Sequence, residues 1–269
     1  TQKNLKGLDD VKLPGFFASL WQYWVFGVSY KHVVAPEDGR IDGISAVKTV
    51  FPFIKKQTIY FNRKPLTVWF PPENGVEDFG QIAVGQNYSK GQDILKLRVV
   101  EGDHLLVDRF TYNFRRPERG EIIVFKTKGI LGIPHQDQLY IKRLVGMPGE
   151  ELRIGDDQHL IVNGHRLDAS TRHFEMVYAM NGQPEDFPYV GHVNNKVGLE
   201  KYHRAGLAPY FPDEKATYKV SPGHYFAMGD NTLNSADSRA WGELPQENVI
   251  GRCWFVYWPF TDRFGWGYR

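Results

Sequence analysis

The sequence predicts a mainly β protein. Short runs of aromatic and β-branched residues recur between turn signals, which is typical of strands. The clearest runs are His104–Tyr112, Glu121–Lys128, Gln138–Gly146, His159–Leu167 and Arg252–Trp258. Asn163 and Gly164 lie between two extended runs and form the preferred pair of a two-residue type I′ turn, because both residue types tolerate positive φ. We therefore expect an antiparallel hairpin there.

The composition excludes a general attraction to polyanions. The chain has 269 residues, of which 33 are Lys or Arg and 31 are Asp or Glu, so its formal charge is +2. Charges that nearly cancel give no field that draws a protein to nucleic acid, and we predict no nucleic-acid partner. The single cysteine, Cys253, excludes an intrachain disulfide and lies in an apolar run that is typical of a buried thiol.

The N-terminal part of the chain differs from the rest. Positions 1–95 mix short helical patterns with aromatic strands and hold no catalytic constellation, so we predict a separate region of unknown role. The segment Leu13–Tyr30 is the most apolar, but its uninterrupted apolar stretches fall short of the roughly 20 residues that span a membrane. We interpret it as a core segment. The alternative is that Trp21, Tyr23 and Trp24 lie at a membrane interface.

Lys142 is the first candidate for chemistry. It lies in an apolar strand that ends at a Pro-Gly turn, and strand alternation places it on the same face as Tyr140. The other face carries Leu139, Ile141 and Arg143. A lysine that points into a domain loses the hydration of its charged form, so its pKa falls. Such a shift makes a lysine an effective general base near pH 7.

The segment Gly223–Leu244 is the second candidate. An apolar strand runs there into a turn that is dense with polar side chains, among them Asp230, Ser235, Asp237 and Arg239. The turn lacks the ligand spacing and the distal Glu of a calcium loop, so we predict no metal and no cofactor. Asp237 and Arg239 are spaced so that they can staple the turn as an ion pair.

Three ordered stretches together resemble bacterial type I signal peptidases, the Ser/Lys endopeptidases that remove signal peptides from exported proteins. The stretches are Gly102–Tyr112 (the strand after the nucleophile), Tyr140–Glu150 (the general-base box) and Gly229–Gly242 (the Gly-Asp-Asn…Ser-x-Asp-Ser-Arg-x-Trp-Gly box). The fold implied is a coiled antiparallel β-sheet catalytic core over positions 96–269. Positions 1–95 are then a large N-terminal insertion, and the Gly-, Pro- and Asn-rich positions 170–215 a smaller, loop-rich one.

The resemblance implies a role for each residue of these boxes. Lys142 is the general base that takes the proton of a serine hydroxyl, and Ser235 orients its amine. Asp237 and Arg239 hold the loop as an ion pair. The extended substrate lies beside a strand edge and takes its affinity from main-chain hydrogen bonds. The residues of this substrate-binding edge are Gln138, Leu139, Tyr140 and Ile141.

The family's nucleophile is not identified in this chain. Its Ser-x-Ser-Met-x-Pro-Thr box has no counterpart, since none of the eight serines is followed by Met-x-Pro. Three explanations stay open: the nucleophile and a membrane anchor lie upstream of Thr1, the chain is a degenerate homologue, or another serine has taken over. We favour the first because the base and the loop are intact, and we expect the 269 residues alone to be inactive.

The function implied is a serine-type endopeptidase that removes N-terminal signal peptides from exported preproteins. It would act at the inner (plasma) membrane, with the catalytic domain on the extracytoplasmic, periplasmic side. Its partners are signal peptides and the membrane. The alternative is a catalytically dead homologue that acts as a peptide-binding or scaffold protein.

Overall fold

The computed structural model describes residues 2–4, 13–51, 54–71, 75–76, 82–133, 136–180, 190–261 and 263–267. Its helices are α1 (Phe16–Phe26), α2 (Asn195–Tyr202) and α3 (Ser238–Trp241). The strands up to position 108 are β1 (Gln2–Asn4), β2 (Val28–Val34), β3 (Gly39–Ile44), β4 (Lys48–Phe51), β5 (Ile54–Phe61), β6 (Lys64–Trp69), β7 (Asn87–Tyr88), β8 (Asp93–Val100) and β9 (His104–Asp108). The later strands are β10 (Ile122–Lys126), β11 (Leu139–Gly146), β12 (Glu151–Ile154), β13 (Leu160–Val162), β14 (His165–Arg166), β15 (Thr217–Lys219), β16 (His224–Met228), β17 (Leu244–Pro245), β18 (Val249–Trp258) and β19 (Gly265–Trp266).

The protein is mainly β, with several antiparallel sheets, as the sequence predicts. It divides into two compact units. The first unit comprises Thr1–His104 with Trp258–Asp262, and the second Leu105–Tyr257 with Arg263–Arg269.

The first unit contains two sheets. One has the strand order β1-β8-β2, and the other has the order β4-β5-β3-β7 with β6 paired to β5. The hairpin of β5 and β6 turns at Asn62 and Arg63, whose φ angles of 46° and 62° are those of a primed hairpin turn. Ile41, Ile59 and Leu95 are fully buried in the core of this unit.

Helix α1 lies in the first unit, and our interpretation of its sequence as a core segment is wrong. None of its 11 residues is buried. The helix ends where Gly27 adopts a left-handed φ of 64° and caps the carbonyls of Gln22 and Tyr23. No helix among the described residues is both long enough and apolar enough to cross a membrane.

The second unit is built on a seven-stranded sheet. Its order is β17-β16-β11-β10-β18-β19, and β9 also pairs with β18. A separate four-stranded sheet has the order β14-β13-β12-β15. The predicted Asn163-Gly164 hairpin is confirmed between β13 and β14, with φ angles of 48° and 81° at its two turn residues.

The end of β11 is buried on both faces. Leu144 packs into one hydrophobic cluster and Val145 into another, because successive side chains of a strand point in opposite directions. This explains why the sequence is continuously apolar there. Arg143 shares a face with the exposed Leu139 and Ile141, yet it is only 2% exposed. Residues that follow Ser170 cover it, since its Nη1 donates to the His173 carbonyl.

Candidate active site

Lys142 lies on β11, with its side chain turned into the second unit. Its Nζ donates to Ser235 Oγ at 3.0 Å and lies 5.7 Å from the centre of the Tyr140 ring. Burial is the largest influence on its pKa and lowers it below the ordinary value. The negative charge of Asp237 opposes this shift, and the positive charge of Arg239 adds to it. The amine is therefore easier to deprotonate than that of an exposed lysine.

Ser235 can approach Lys142 because Gly229, which lies against both residues, has no side chain. A Cβ atom on Gly229 would lie 2.1 Å from Ser235 Oγ and 3.5 Å from Lys142 Nζ. Such an approach is far inside van der Waals contact, so glycine alone fits. The Gly229 N–H donates to Asp237 Oδ2 at 3.0 Å, which ties the start of the loop to its end.

Asp237 and Arg239 form a fully buried ion pair. Arg239 Nε donates to Oδ1 at 2.9 Å, and its Nη2 donates to Oδ2 at 2.7 Å. Burial by itself raises the pKa of Asp237, but the charge and hydrogen bonds of Arg239 outweigh it and hold that pKa below its usual value. The carboxylate also caps α3, where it accepts the Arg239 N–H. The pair therefore fixes the backbone that carries Ser235.

A second buried arginine, Arg143, was not among the predicted site residues. Its Nε and Nη2 donate to the two carboxylate oxygens of Asp230 at 2.8 and 2.6 Å. This bond joins the residue after Lys142 to the residue after Gly229. The signal in the sequence was present, since an arginine directly follows the candidate base, but its partner 87 positions away could not be identified from local spacing.

The loop also rests on residues that follow position 189. Thr232 is fully buried, and its hydroxyl accepts hydrogen bonds from Arg239 Nη1 and from the Val193 N–H. Leu233 packs in a small cluster with Val190, Val193 and Val197. The region predicted as a loop-rich insertion, 170–215, thus contributes α2 and part of this cluster. Its positions 181–189 lie outside the described residues.

Thr232→Val is expected to lower the free energy of unfolding by about 1–3 kcal/mol. The two side chains match in size, but the Val193 N–H loses the hydroxyl that accepts from it, and Arg239 Nη1 keeps only its longer bond of 3.2 Å to the Val193 carbonyl. Thr217→Val, at an exposed position of β15, is the matched control and should change stability by less than about 0.5 kcal/mol. Urea denaturation of both variants measures the difference. Equal stabilities would show that the hydroxyl does not support the loop.

The predicted substrate edge is paired on one side only. Leu139, Tyr140 and Ile141 pair with β10, whereas the pairing of β11 with β16 begins at Arg143. In the part of the chain that the structure describes, no strand covers the other side of these three residues. Gln138 is exposed just before the strand. An extended peptide can therefore add to this edge, which ends at Lys142.

The structure thus brings four predicted residues together: Lys142, Ser235, Asp237 and Arg239. Their catalytic roles stay predictions, and so do those of the substrate edge. Within the described residues, the hydroxyl that contacts Lys142 is that of Ser235. A half-buried amine of lowered pKa beside a hydroxyl is chemically suited to proton transfer.

The family profile described as "Signal peptidase, peptidase S26" matches residues 84–258. The signal peptidase I of Pseudomonas fluorescens is 30% identical over 183 residues, which cover 59% of this chain and 60% of that protein. A probable signal peptidase I-2 of Synechocystis sp. is 31% identical over 157 residues, which cover 58% of this chain and 56% of that protein.

The chain therefore spans less than two thirds of the length of these relatives. The chain in a crystal structure of a signal peptidase I from Enterococcus faecalis V583 has 26% sequence identity to this protein. The match covers 51% of this chain and 97% of the chain in that crystal structure. Its TM-score of 0.33 is too low for a conclusion about the fold. The family profile covers more than half of the chain and includes Lys142 and the Gly229–Gly242 loop. The chain belongs to the peptidase S26 family of signal peptidases, which are serine proteases.

Proposed function

We propose that this protein is a serine endopeptidase that removes N-terminal signal peptides from exported preproteins by a Ser/Lys mechanism. The observation that carries the proposal is the hydrogen bond of 3.0 Å between Lys142 Nζ and Ser235 Oγ, at a site where burial lowers the pKa of the lysine. A neutral amine can take a proton from an attacking serine and return it to the leaving amine. Ser235 holds the amine in one orientation.

The substrate would bind as an extended strand on the open edge of Leu139, Tyr140 and Ile141, with Gln138 at its entry. Its main chain would pair with the free side of β11, and its side chains would alternate between two sets of pockets. Because Lys142 follows this edge directly, a bound peptide would present its scissile bond close to the amine. Asp237 and Arg239 would keep Ser235 in place through successive turnovers.

The attacking serine is proposed to lie upstream of Thr1. Two observations support this: the 269 residues contain no Ser-x-Ser-Met-x-Pro-Thr box, and the hydroxyl in contact with Lys142 already lies against the backbone of Gly229. Positions 96–269 would then form the coiled signal-peptidase core with a loop-rich insertion at 170–215, and positions 1–95 an inserted region. The core would face the extracytoplasmic side of the plasma membrane.

A preprotein cleavage assay tests this function. The complete gene product should cut a preprotein once, after its signal peptide, whereas the 269 residues alone should bind the peptide without cutting it. Cleavage by the 269 residues would place the nucleophile within this chain, and an acyl-enzyme trapped on the Ser235 hydroxyl would identify Ser235 as that nucleophile. Binding without cleavage by the complete product would instead establish the peptide-binding or scaffold alternative.

A further inference from the structure

Helix α1 exposes an apolar surface along its whole length. Phe17 is 84% exposed, Trp21 65% and Trp24 69%, and no residue of the helix is buried. The sequence of the helix, FFASLWQYWVF, contains no Asp, Glu, Lys or Arg. A contiguous apolar patch of a few hundred Å² is close to the largest that a typical soluble monomer exposes, and such patches are often functional.

The helix is held at its C-terminal end, so this surface has a fixed direction within the first unit. The indole N–H of Trp258 donates to the Trp24 carbonyl at 2.8 Å, and the Phe260 N–H donates to the Val25 carbonyl at 2.8 Å. Tyr23 also packs edge-on against Trp258, with ring centres 5.9 Å apart. These contacts use the backbone of the helix and one ring, and they leave the other aromatic side chains uncovered.

The size and the composition of the helix decide between a protein partner and a lipid surface. A helix of 11 residues is about 16 Å long, and one side of it offers roughly 250 Å², well below the ~800 Å² per partner of a stable dimer. Trp and Tyr, which make up three of its residues, are enriched at protein interfaces as well as at the boundary between lipid and water. The helix offers no Arg, however, which is the charged side chain enriched with them at protein interfaces. Both its size and its composition favour lipid.

We propose that α1 is an interfacial anchor that lies flat in the headgroup region of a bilayer, with Phe17, Trp21 and Trp24 inserted. At about 16 Å the helix reaches only about half of the ~30 Å hydrocarbon core, so it lies on the membrane and does not span it. α1 precedes the residues matched by the signal peptidase family. Its role as an anchor therefore does not depend on whether the protein cleaves peptides. Since the helix carries no charge, its binding needs no anionic lipid and withstands salt.

Vesicle flotation of the 269-residue chain tests this inference. The helix variant is Phe17→Gln/Trp21→Gln/Trp24→Gln, which keeps helix-forming residues at exposed positions. The control variant is Phe51→Thr/Tyr60→Thr/Trp69→Thr, which removes three exposed aromatic side chains from strands of the same unit. Both are compared with the unchanged chain on phosphatidylcholine vesicles and on vesicles with added anionic lipid, at low and high salt. The molar mass of each protein without lipid is measured by light scattering.

The unchanged chain and the control should float on both kinds of vesicle at either salt concentration. The helix variant should lose at least about tenfold in partitioning, because three large apolar side chains no longer enter the interface. If the helix variant unfolds, the single variant Trp21→Gln replaces it in the test. It should show a smaller loss of partitioning onto both kinds of vesicle. The inference is overturned if the unchanged chain does not float, if the helix variant floats equally well, or if the control variant loses as much partitioning. Binding that needs anionic lipid at low salt would also overturn it. So would light scattering that shows a dimer formed through α1.

Discussion

Lys142→Met in the complete gene product is expected to lower kcat/KM for a preprotein by about 10³-fold, the range of a general base. Methionine has a similar volume but cannot take a proton from a serine hydroxyl. The variant should nevertheless be as stable as the unchanged protein or more stable, because burial of the ammonium disfavours its charged form. Cleavage kinetics and thermal unfolding of the same preparation measure both effects.

Both the rate of cleavage and the free energy of unfolding should depend on pH through Lys142. Burial lowers the pKa of Lys142 in the folded state, so cleavage should rise with pH and level off below the ordinary lysine value of 10.5. Between the folded and unfolded pKa values the unfolded chain binds more protons, so this lysine makes the free energy of unfolding increase with pH. Both dependences should be absent from Lys142→Met.

Two further variants separate the proton-transfer role from charge and from packing. Lys142→Arg keeps a positive charge but cannot deprotonate, so it should be as inactive as Lys142→Met. Lys219→Met makes the same substitution at an exposed position of β15 and should leave cleavage unchanged. A Lys142→Met protein with more than a tenth of the original activity would be incompatible with the proposed mechanism.

Asp237→Ala is expected to lower the free energy of unfolding by about 3–5 kcal/mol, because it leaves the buried guanidinium of Arg239 without its counter-charge. Asp157→Ala is the matched control. It breaks an ion pair of similar length with Arg166, in which both side chains are about half exposed, and a long hydrogen bond of 3.3 Å from the His159 N–H. The two losses together should cost no more than about 1 kcal/mol. Urea denaturation at neutral pH compares the two variants.

The pH dependence of this loss follows from the carboxylate. Because the pKa of Asp237 lies below its usual value in the folded state, its contribution is complete above the unfolded value of about 4 and is lost as the pH falls through the folded pKa. The gap between the original protein and Asp237→Ala should therefore shrink in acid. The double variant Asp237→Ala/Arg239→Met should lose less stability than the sum of the single changes. A full-sized loss that did not change with pH would point to packing and not to charge.

The candidate site could be predicted from the sequence where its chemistry is local. Lys142 within an apolar strand and the dense polar turn around Ser235 were visible as patterns, and Asp237 and Arg239 are two positions apart. The contact of Lys142 with Ser235 joins positions separated by 93 residues, and only the resemblance to a family suggested it. Residue spacing alone could not bring those two side chains together.

The features that the sequence did not predict depend on residues that are distant along the chain, because those residues determine which side chains are buried. Alternation places Arg143 on the face opposite Lys142 but does not identify what covers that face, and residues after Ser170 cover it. Helix α1 was interpreted as a core segment because it is apolar, although nothing among the described residues buries it. Apolar composition indicates that burial of a segment is favourable, but it does not identify the surface that buries it.

The one-sided pairing of β11 also bears on solubility. Within the described residues, the free side of Leu139, Tyr140 and Ile141 is a template to which a strand of another molecule could add, as in aggregation. The exposed part is short, and it ends at the inward-pointing, ionisable side chain of Lys142 and at the start of pairing with β16. Short edges and inward charges are features that discourage such growth. The lysine proposed as the base would thus also help to limit intermolecular strand pairing at this edge.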